Sequence, residues 1–184
     1  MEPDHEREII QRILNGERES YALLVDAYQS AIFNLAYRMT GNRQDADDLA
    51  QETFIRAYRN LRHFDPEKRF FTWLYTIGLN LIRNHLKKRG RAVVRETAER
   101  RDSEAEIRDE SCTEQELIRS QERHSLEEAL HKLPVNLREA VVLRFYQDLS
   151  FEEIATITGA SVSAAKMRVY RGVERLKESI KISE

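Results

Sequence analysis

Apolar positions recur every three to four residues along most of the chain, and the breaks between these runs divide it into helices. A short run over 5–14 ends at Asn15-Gly16. A longer run covers 18–39, where Leu23, Leu24, Ala27, Ala31, Leu35 and Met39 mark the expected core face and Thr40-Gly41-Asn42 closes it. The third helix is expected from about Gln44 to Leu61, with Asp45, Asp47 and Asp48 in its first turn, where the helix dipole favours acids. His63-Phe64-Asp65-Pro66 reads as a loop, and a fourth helix runs from about Phe70 to Lys88 and stops near Gly90. From 91 to about 114 the pattern lapses. Apolar residues thin out to Val93, Val94 and Ile107, too few to offset the entropy of ordering the segment. Periodicity returns over Glu116–Lys132 and, behind Pro134, over 135–147.

The last two helices have the most specific pattern. Ser150 is placed to cap the first of them, with Glu153 three residues on completing a capping box and Leu149 with Ile154 forming a hydrophobic staple. Ile154, Ala155 and Thr158 share a face, Gly159 falls where the chain must turn, and Ser161 or Ser163 caps the next helix. There Ala165, Val169, Gly172 and Leu176 make one apolar seam, while Arg168, Arg171 and Arg175 line another face, flanked by Lys166 and Tyr170. One face packs and the other is basic, as a helix-turn-helix that enters the DNA major groove requires. An amphipathic hairpin with a solvated charged face would show the same seam.

The fold class is therefore all-α, with two small helical domains: residues 1–90 and residues 115–184, joined by a flexible acidic linker over 91–114. Charge refines this organisation. The 184 residues carry a formal net charge of -2, which excludes a uniformly basic DNA-coating protein. Residues 91–120 hold 6 Lys/Arg against 9 Asp/Glu, whereas residues 1–90 hold 14 against 13. DNA contacts must come from local patches, leaving acidic faces for protein partners. The single cysteine, Cys112, excludes an internal disulfide and a thiolate zinc cluster. No apolar run approaches the roughly 20 residues of a membrane span, and the polar start is unlike a signal peptide, so a cytoplasmic protein with no direct membrane insertion is expected. His5, His63, His85, His124 and His131 lack ligand spacing with carboxylates, and no glycine-rich phosphate loop or nucleophile motif occurs. No enzyme, metal, cofactor or small-molecule substrate is expected.

Two further segments carry candidate chemistry. In Asp45–Tyr58, Asp48, Gln51, Glu52 and Ile55 share a helix face, an acidic-polar stripe beside an apolar position that suits a basic helical partner. A solvated face whose acids serve only the helix N-terminus would look alike. In Phe70–Arg91, aromatics are followed by Asn80 and Asn84 and by the cations Lys87, Lys88, Arg89 and Arg91. Cations hold phosphate while amides and pockets read exposed base edges, so this element suits melted or single-stranded nucleic acid. Trp73 and Leu74 read as core.

Asp48-Leu-Ala-Gln-Glu-Thr-Phe-Ile-Arg-Ala-Tyr58, Phe71-Thr-Trp-Leu-Tyr75 with Asn80, and Leu133-Pro134 with Leu149-Ser-Phe-Glu-Glu-Ile-Ala155 occur in one order and spacing. Together they resemble regions 2.2, 2.3–2.4 and 4 of bacterial sigma factors of the extracytoplasmic-function (ECF) group, sigma-70 family, over nearly the whole chain. The resemblance implies a promoter-specificity subunit that binds core RNA polymerase, recognises -10 and -35 elements and assists melting. Asp48, Gln51, Glu52 and Ile55 would dock on the β′ clamp helices, with the β subunit a further partner. His63, Phe64, Lys68 and Arg69, with the start of the fourth helix, would capture a flipped -10 base. Asn80, Asn84, Lys87, Lys88, Arg89 and Arg91 would contact that element and the DNA just upstream. The acidic linker would thread the polymerase cleft and RNA exit channel. Ser163, Lys166, Arg168, Tyr170, Arg171 and Arg175 would read the -35 element. Family habit adds an anti-sigma factor, which could hold the protein at the inner membrane face. One departure is Ser163-Ala164-Ala165, where many members carry Gly-Thr-Val, so the first turn there caps differently. A two-domain regulator that binds duplex operator DNA without polymerase is the competing reading.

Overall fold

The first helix, α1 (Pro3–Leu14), turns Ile9, Ile10 and Ile13 inward and stops at Gly16, whose φ of 107° suits a residue without Cβ. A single 3-10 turn (Arg18–Ser20) leads into α2 (Tyr21–Thr40). The buried face of α2 is Leu24, Tyr28, Ile32, Leu35, Ala36 and Met39. This face is rotated from the expected one, and Leu23 and Ala27 are exposed. The reason is that α2 is apolar on more than one side and packs against helices of both domains. Gly41 (φ 70°) ends α2, and the Asn42 side chain caps α3 (Arg43–Asn60) by accepting from the Asp45 N–H at 2.8 Å.

The inward side of α3 is mostly small: Ala46, Ala50, Thr53 and Ala57, with Phe54. Small side chains let α4 (Phe70–Arg95) approach closely, and a Cβ added at Gly78 would lie 3.4 Å from the Thr53 side chain. α4 does not stop near Gly90 but continues to Arg95, five residues into the expected linker. An exposed mid-helix glycine lowers helix stability by about 1 kcal/mol relative to alanine without ending the helix. The computed structural model describes residues 3–95 and 125–181. The remainder of the expected linker, Cys112, and residues 116–124 of the following helix lie outside the described residues.

The second domain comprises α5 (residues 125–132), α6 (Val135–Phe145), α7 (Phe151–Thr158) and α8 (Val162–Lys181). The Ser150–Glu153 capping box forms in both directions, Leu149 and Ile154 are buried as its staple, and Gly159 (φ 66°) ends α7. Ser161, rather than Ser163, supplies the next cap, its Oγ accepting from the Ala164 N–H at 3.2 Å. Ala165, Val169, Gly172 and Leu176 form the buried seam. At Gly172 a Cβ would fall 2.4 Å from Val141 Cγ2, so α6 and α8 cross with no spare room.

The two helical domains pack on each other, α6 against α2 and α7 against α4. Among the described residues, the polar contacts that join them include the following, with Arg69–Glu153 beside them. Arg138, buried on α6, donates to the Met39 carbonyl at 2.6 Å, to that of Leu133 at 3.2 Å and to that of His131. Arg83 of α4 donates through Nε and Nη2 to both carboxylate oxygens of Glu139, at 2.7 Å each. The Tyr75 hydroxyl donates to Gln147 at 2.6 Å. Such partners offset the cost of burying a charge, although Arg138 Nε itself has none among the described residues. His131 fits against Gly41 and beside Arg138.

Candidate nucleic-acid and protein interfaces

Three surfaces carry the residues singled out in the sequence. On α3, Asp48, Gln51 and Ile55 are exposed and Glu52 is half-buried, its carboxylate accepting from Arg56 at 2.6 Å. They form one face, as the spacing implied. That face continues across a groove of about 650 Å³ onto α2, where Gln29, Phe33 and Asn34 complete the wall. The α2 residues were not anticipated. A signal existed in the polar positions Gln29, Ser30 and Asn34, which recur on one side of a largely apolar helix.

The second surface is the loop 64–69 and the outer side of α4. Phe64, Phe70 and Trp73 cluster with ring centroids 5.2–5.7 Å apart. Phe64 is buried in this cluster, so it underlies the loop instead of lining its surface. His63, Lys68 and Arg69 are exposed around it. Asn80, Asn84, Lys87 and Lys88 are exposed further along α4. Arg89 donates to Asp45 at 3.0 Å, and His85 faces the same carboxylate at 3.2 Å. The backbone of Arg91 belongs to α4, and its side chain lies outside the described residues. Arg83, placed between Asn80 and Asn84, escaped the sequence reading, and its bidentate partner Glu139 is 56 residues away.

The packing of the domains bears on this second surface. Arg69 Nη1 donates to Glu153 Oε1 at 2.7 Å, while the other oxygen of Glu153 accepts from the Ser150 N–H. Lys68, Arg69, Thr72, Trp73 and Thr76 thus face Glu152, Glu153 and Thr156 of α7 across a cavity of about 370 Å³. Carboxylates of α7 stand there against the exposed cations of the loop. The α3 groove, in contrast, is open.

On the third surface, Ser163, Lys166, Tyr170, Arg171 and Arg175 of α8 are exposed and Arg168 is half-buried. Tyr170 stands out from the helix beside Phe151, ring centroids 6.3 Å apart, and Lys166 Nζ lies 5.5 Å over the Phe151 ring. These neighbours orient Tyr170 and Lys166 on the basic face. The anchor between domains has a titratable member. Burial, and then the Arg138 charge, lower the His131 imidazole to about 4 from its ordinary 6.5, so it is neutral near pH 7. Among the described residues no group of three His, Cys, Asp or Glu is arranged to hold a metal ion, and no helix is long and apolar enough to cross a membrane.

Comparison with known proteins agrees with this layout. Residues 24–92 match sigma-70 region 2, and residues 123–176 match sigma-70 region 4. The RNA polymerase sigma-H factor of Pseudomonas aeruginosa is 33% identical over 182 residues, covering 96% of this chain and 94% of that protein. The ECF RNA polymerase sigma factor SigW of Bacillus subtilis is 33% identical over 177 residues, covering 94% of this chain and 95% of that protein. Among solved structures, a chain from CnrH in complex with the cytosolic domain of CnrY is similar at a TM-score of 0.72 and 26% identity, over 97% of this chain and 98% of that one. A chain from the sigma factor RpoE in complex with the anti-sigma factor NepR from Bartonella quintana shares the fold at a TM-score of 0.71 and 24% identity, over 90% and 99%.

Proposed function

Because the chain belongs to the extracytoplasmic-function group of the sigma-70 family, we infer that it binds core RNA polymerase and directs promoter-specific transcription initiation. The observation that carries this reading is the presence, on one chain matched by both regions, of an exposed acidic-polar stripe on α3, an amide and cation row on α4 and a helix-turn-helix with an outward-facing basic side. A repressor needs only the last of these.

The roles divide by surface. Asp48, Gln51, Glu52 and Ile55, joined by Gln29, Phe33 and Asn34 across the groove, dock on the β′ clamp helices. His63, Lys68 and Arg69 with the start of α4 capture a flipped base of the -10 element, and Phe64 supports them from below. Asn80, Asn84, Lys87, Lys88, Arg89 and Arg91 contact that element and the DNA upstream. Lys166, Arg168, Tyr170, Arg171 and Arg175 read the -35 element, with Ser163 beside them. Capturing flipped bases offsets an unstacking cost of about a few kcal/mol and so drives melting. Catalysis belongs to polymerase, and this subunit contributes no chemistry of its own.

The packed arrangement supports an order of events. The α3 groove is open while Arg69 is engaged by Glu153. Core docking therefore comes first, and strand capture follows separation of α7 from α4. An anti-sigma factor that holds the domains together would block the second step. We place the protein in the cytoplasm with polymerase, and at the membrane only through such a partner. The test is co-purification of tagged protein with core polymerase, followed by permanganate mapping of unpaired thymines on bound promoters. Core-dependent thymine reactivity in a -10 element supports the reading. Operator binding without core and no melting would sink it.

A further inference from the structure

Helix α1 lies outside the segment matched by region 2, yet it is packed against the strand-capture loop. Ile10 is buried beside Phe64 and Phe70, the aromatic floor of that loop. Glu6 is buried and accepts a hydrogen bond from the Tyr28 hydroxyl, and the Tyr28 ring lies 6.0 Å from Phe70 and 6.2 Å from Phe71. Arg7 Nε donates to the Pro66 carbonyl at 3.2 Å, across 59 residues of sequence. Its guanidinium also meets Asp4 at 3.6 Å in an exposed pair.

These contacts have a division of labour. Glu6, Tyr28 and Ile10 hold the first turn of α4 and the floor. Of these α1 residues, Arg7 is the one that hydrogen-bonds the loop's backbone, at the Pro66 carbonyl. A loop of six residues between a 3-10 turn and a helix has few hydrogen bonds of its own: Lys68 N–H to the Asp65 carbonyl, and Glu67 N–H to the Asp65 side chain. An outside strut therefore decides how narrowly its position is distributed. A capture pocket must be held to within a fraction of an ångström to discriminate bases.

We propose that α1 is a positioning element for strand capture, with Arg7 as its contact to the loop and the Glu6–Tyr28 pair as its base. This rests on the reading that residues 64–69 receive a -10 base. Arg7 touches no DNA in this scheme and acts only through Pro66.

The experiment uses holoenzyme assembled from core polymerase and the full chain. A fluorescent single-stranded oligonucleotide carries the non-template -10 sequence of a promoter mapped with the wild-type protein. Binding is followed by anisotropy for wild type, Arg7→Ala and Arg7→Lys. Losing one hydrogen bond of ordinary strength predicts about three- to tenfold weaker oligonucleotide binding for Arg7→Ala. Affinity for core polymerase and the melting temperature of the free protein stay as in wild type, since Arg7 is exposed. Arg7→Lys, which keeps a donor of similar reach, recovers most of the loss. Unchanged oligonucleotide affinity in Arg7→Ala overturns the proposal, as does a loss accompanied by equal losses in core affinity and melting temperature. If the wild-type holoenzyme itself shows no preference for the -10 oligonucleotide over a scrambled one, the strand-capture reading fails instead.

Discussion

Replacing Arg83 with alanine removes the bidentate partner of Glu139, whose side chain is only 2% exposed. A carboxylate left unpaired in such a place is strongly destabilising, by about 3–5 kcal/mol for a fully buried pair. Arg83 is about one-third exposed, so water reaches part of the site and the expected figure falls to about 2–3 kcal/mol. The penalty exists only while α6 lies against α4. Separating the domains returns Glu139 to water and relieves it. The substitution should thus act on the equilibrium between packed and separated domains, shifting it roughly 30- to 150-fold toward separation. Single-molecule energy transfer can read this, with dyes at Arg59 and Lys177 in a Cys112→Ser background. Wild type should give one high-transfer population and Arg83→Ala a second, low-transfer one. Glu139→Ala should open the protein less, because an orphaned guanidinium on α4 can turn to solvent. Combining the two changes should be milder than Arg83→Ala alone. An unchanged transfer histogram with a lowered melting temperature would refute the reasoning, because the pair would then serve folding and not domain closure.

Other consequences are as direct. Gly172→Ala should destabilise the second domain by about 1–3 kcal/mol in chemical unfolding, since the new methyl meets the stiff Val141 side chain at 2.4 Å. His131 is held at about 4 in the packed state against 6.5 when exposed. The exposed state therefore binds its proton first, and stability of the packing is full above pH 6.5 and declines as pH falls toward 4. Energy transfer measured from pH 7.5 to 4.5 should drop across that window, and His131→Asn should remove this component of the drop. Glu52→Lys should lose core polymerase in a pull-down while circular dichroism and melting stay near wild type. Normal binding by the reversed charge would show that the docking stripe is misassigned.

Local chemistry was legible in the sequence and long-range chemistry was not. Ser150, Glu153 and Gly159 act within a few residues of themselves, so the α7–turn–α8 unit could be read from spacing, as could the stripe from Asp48 to Ile55. The core face of α2 could not, because Leu23, Leu24, Ala27 and Tyr28 are all compatible with burial and the choice is made by helices distant in the chain. The end of α4 was misread at Gly90, where a weak local preference yields to a long helix. The packing of the two domains rests on Arg138 with Met39, Arg83 with Glu139 and Arg69 with Glu153, separated by 99, 56 and 84 residues. Nothing local marks a charged residue as one that will be buried against such a partner. Phe64 shows the same limit: its position in the loop was clear, but its orientation into the aromatic floor depends on Phe70 and Trp73.

The central claim is that this chain gives core RNA polymerase its choice of promoter. A run-off transcription assay on fragmented genomic DNA tests it most directly, with purified core polymerase and each transcript start mapped by sequencing. Adding the protein should produce a small set of new starts that share one -10 and one -35 motif, and Arg171→Ala should depress the set as a whole. No new transcripts with core enzyme, together with a specific shift of duplex operator DNA by the protein alone, would contradict the account.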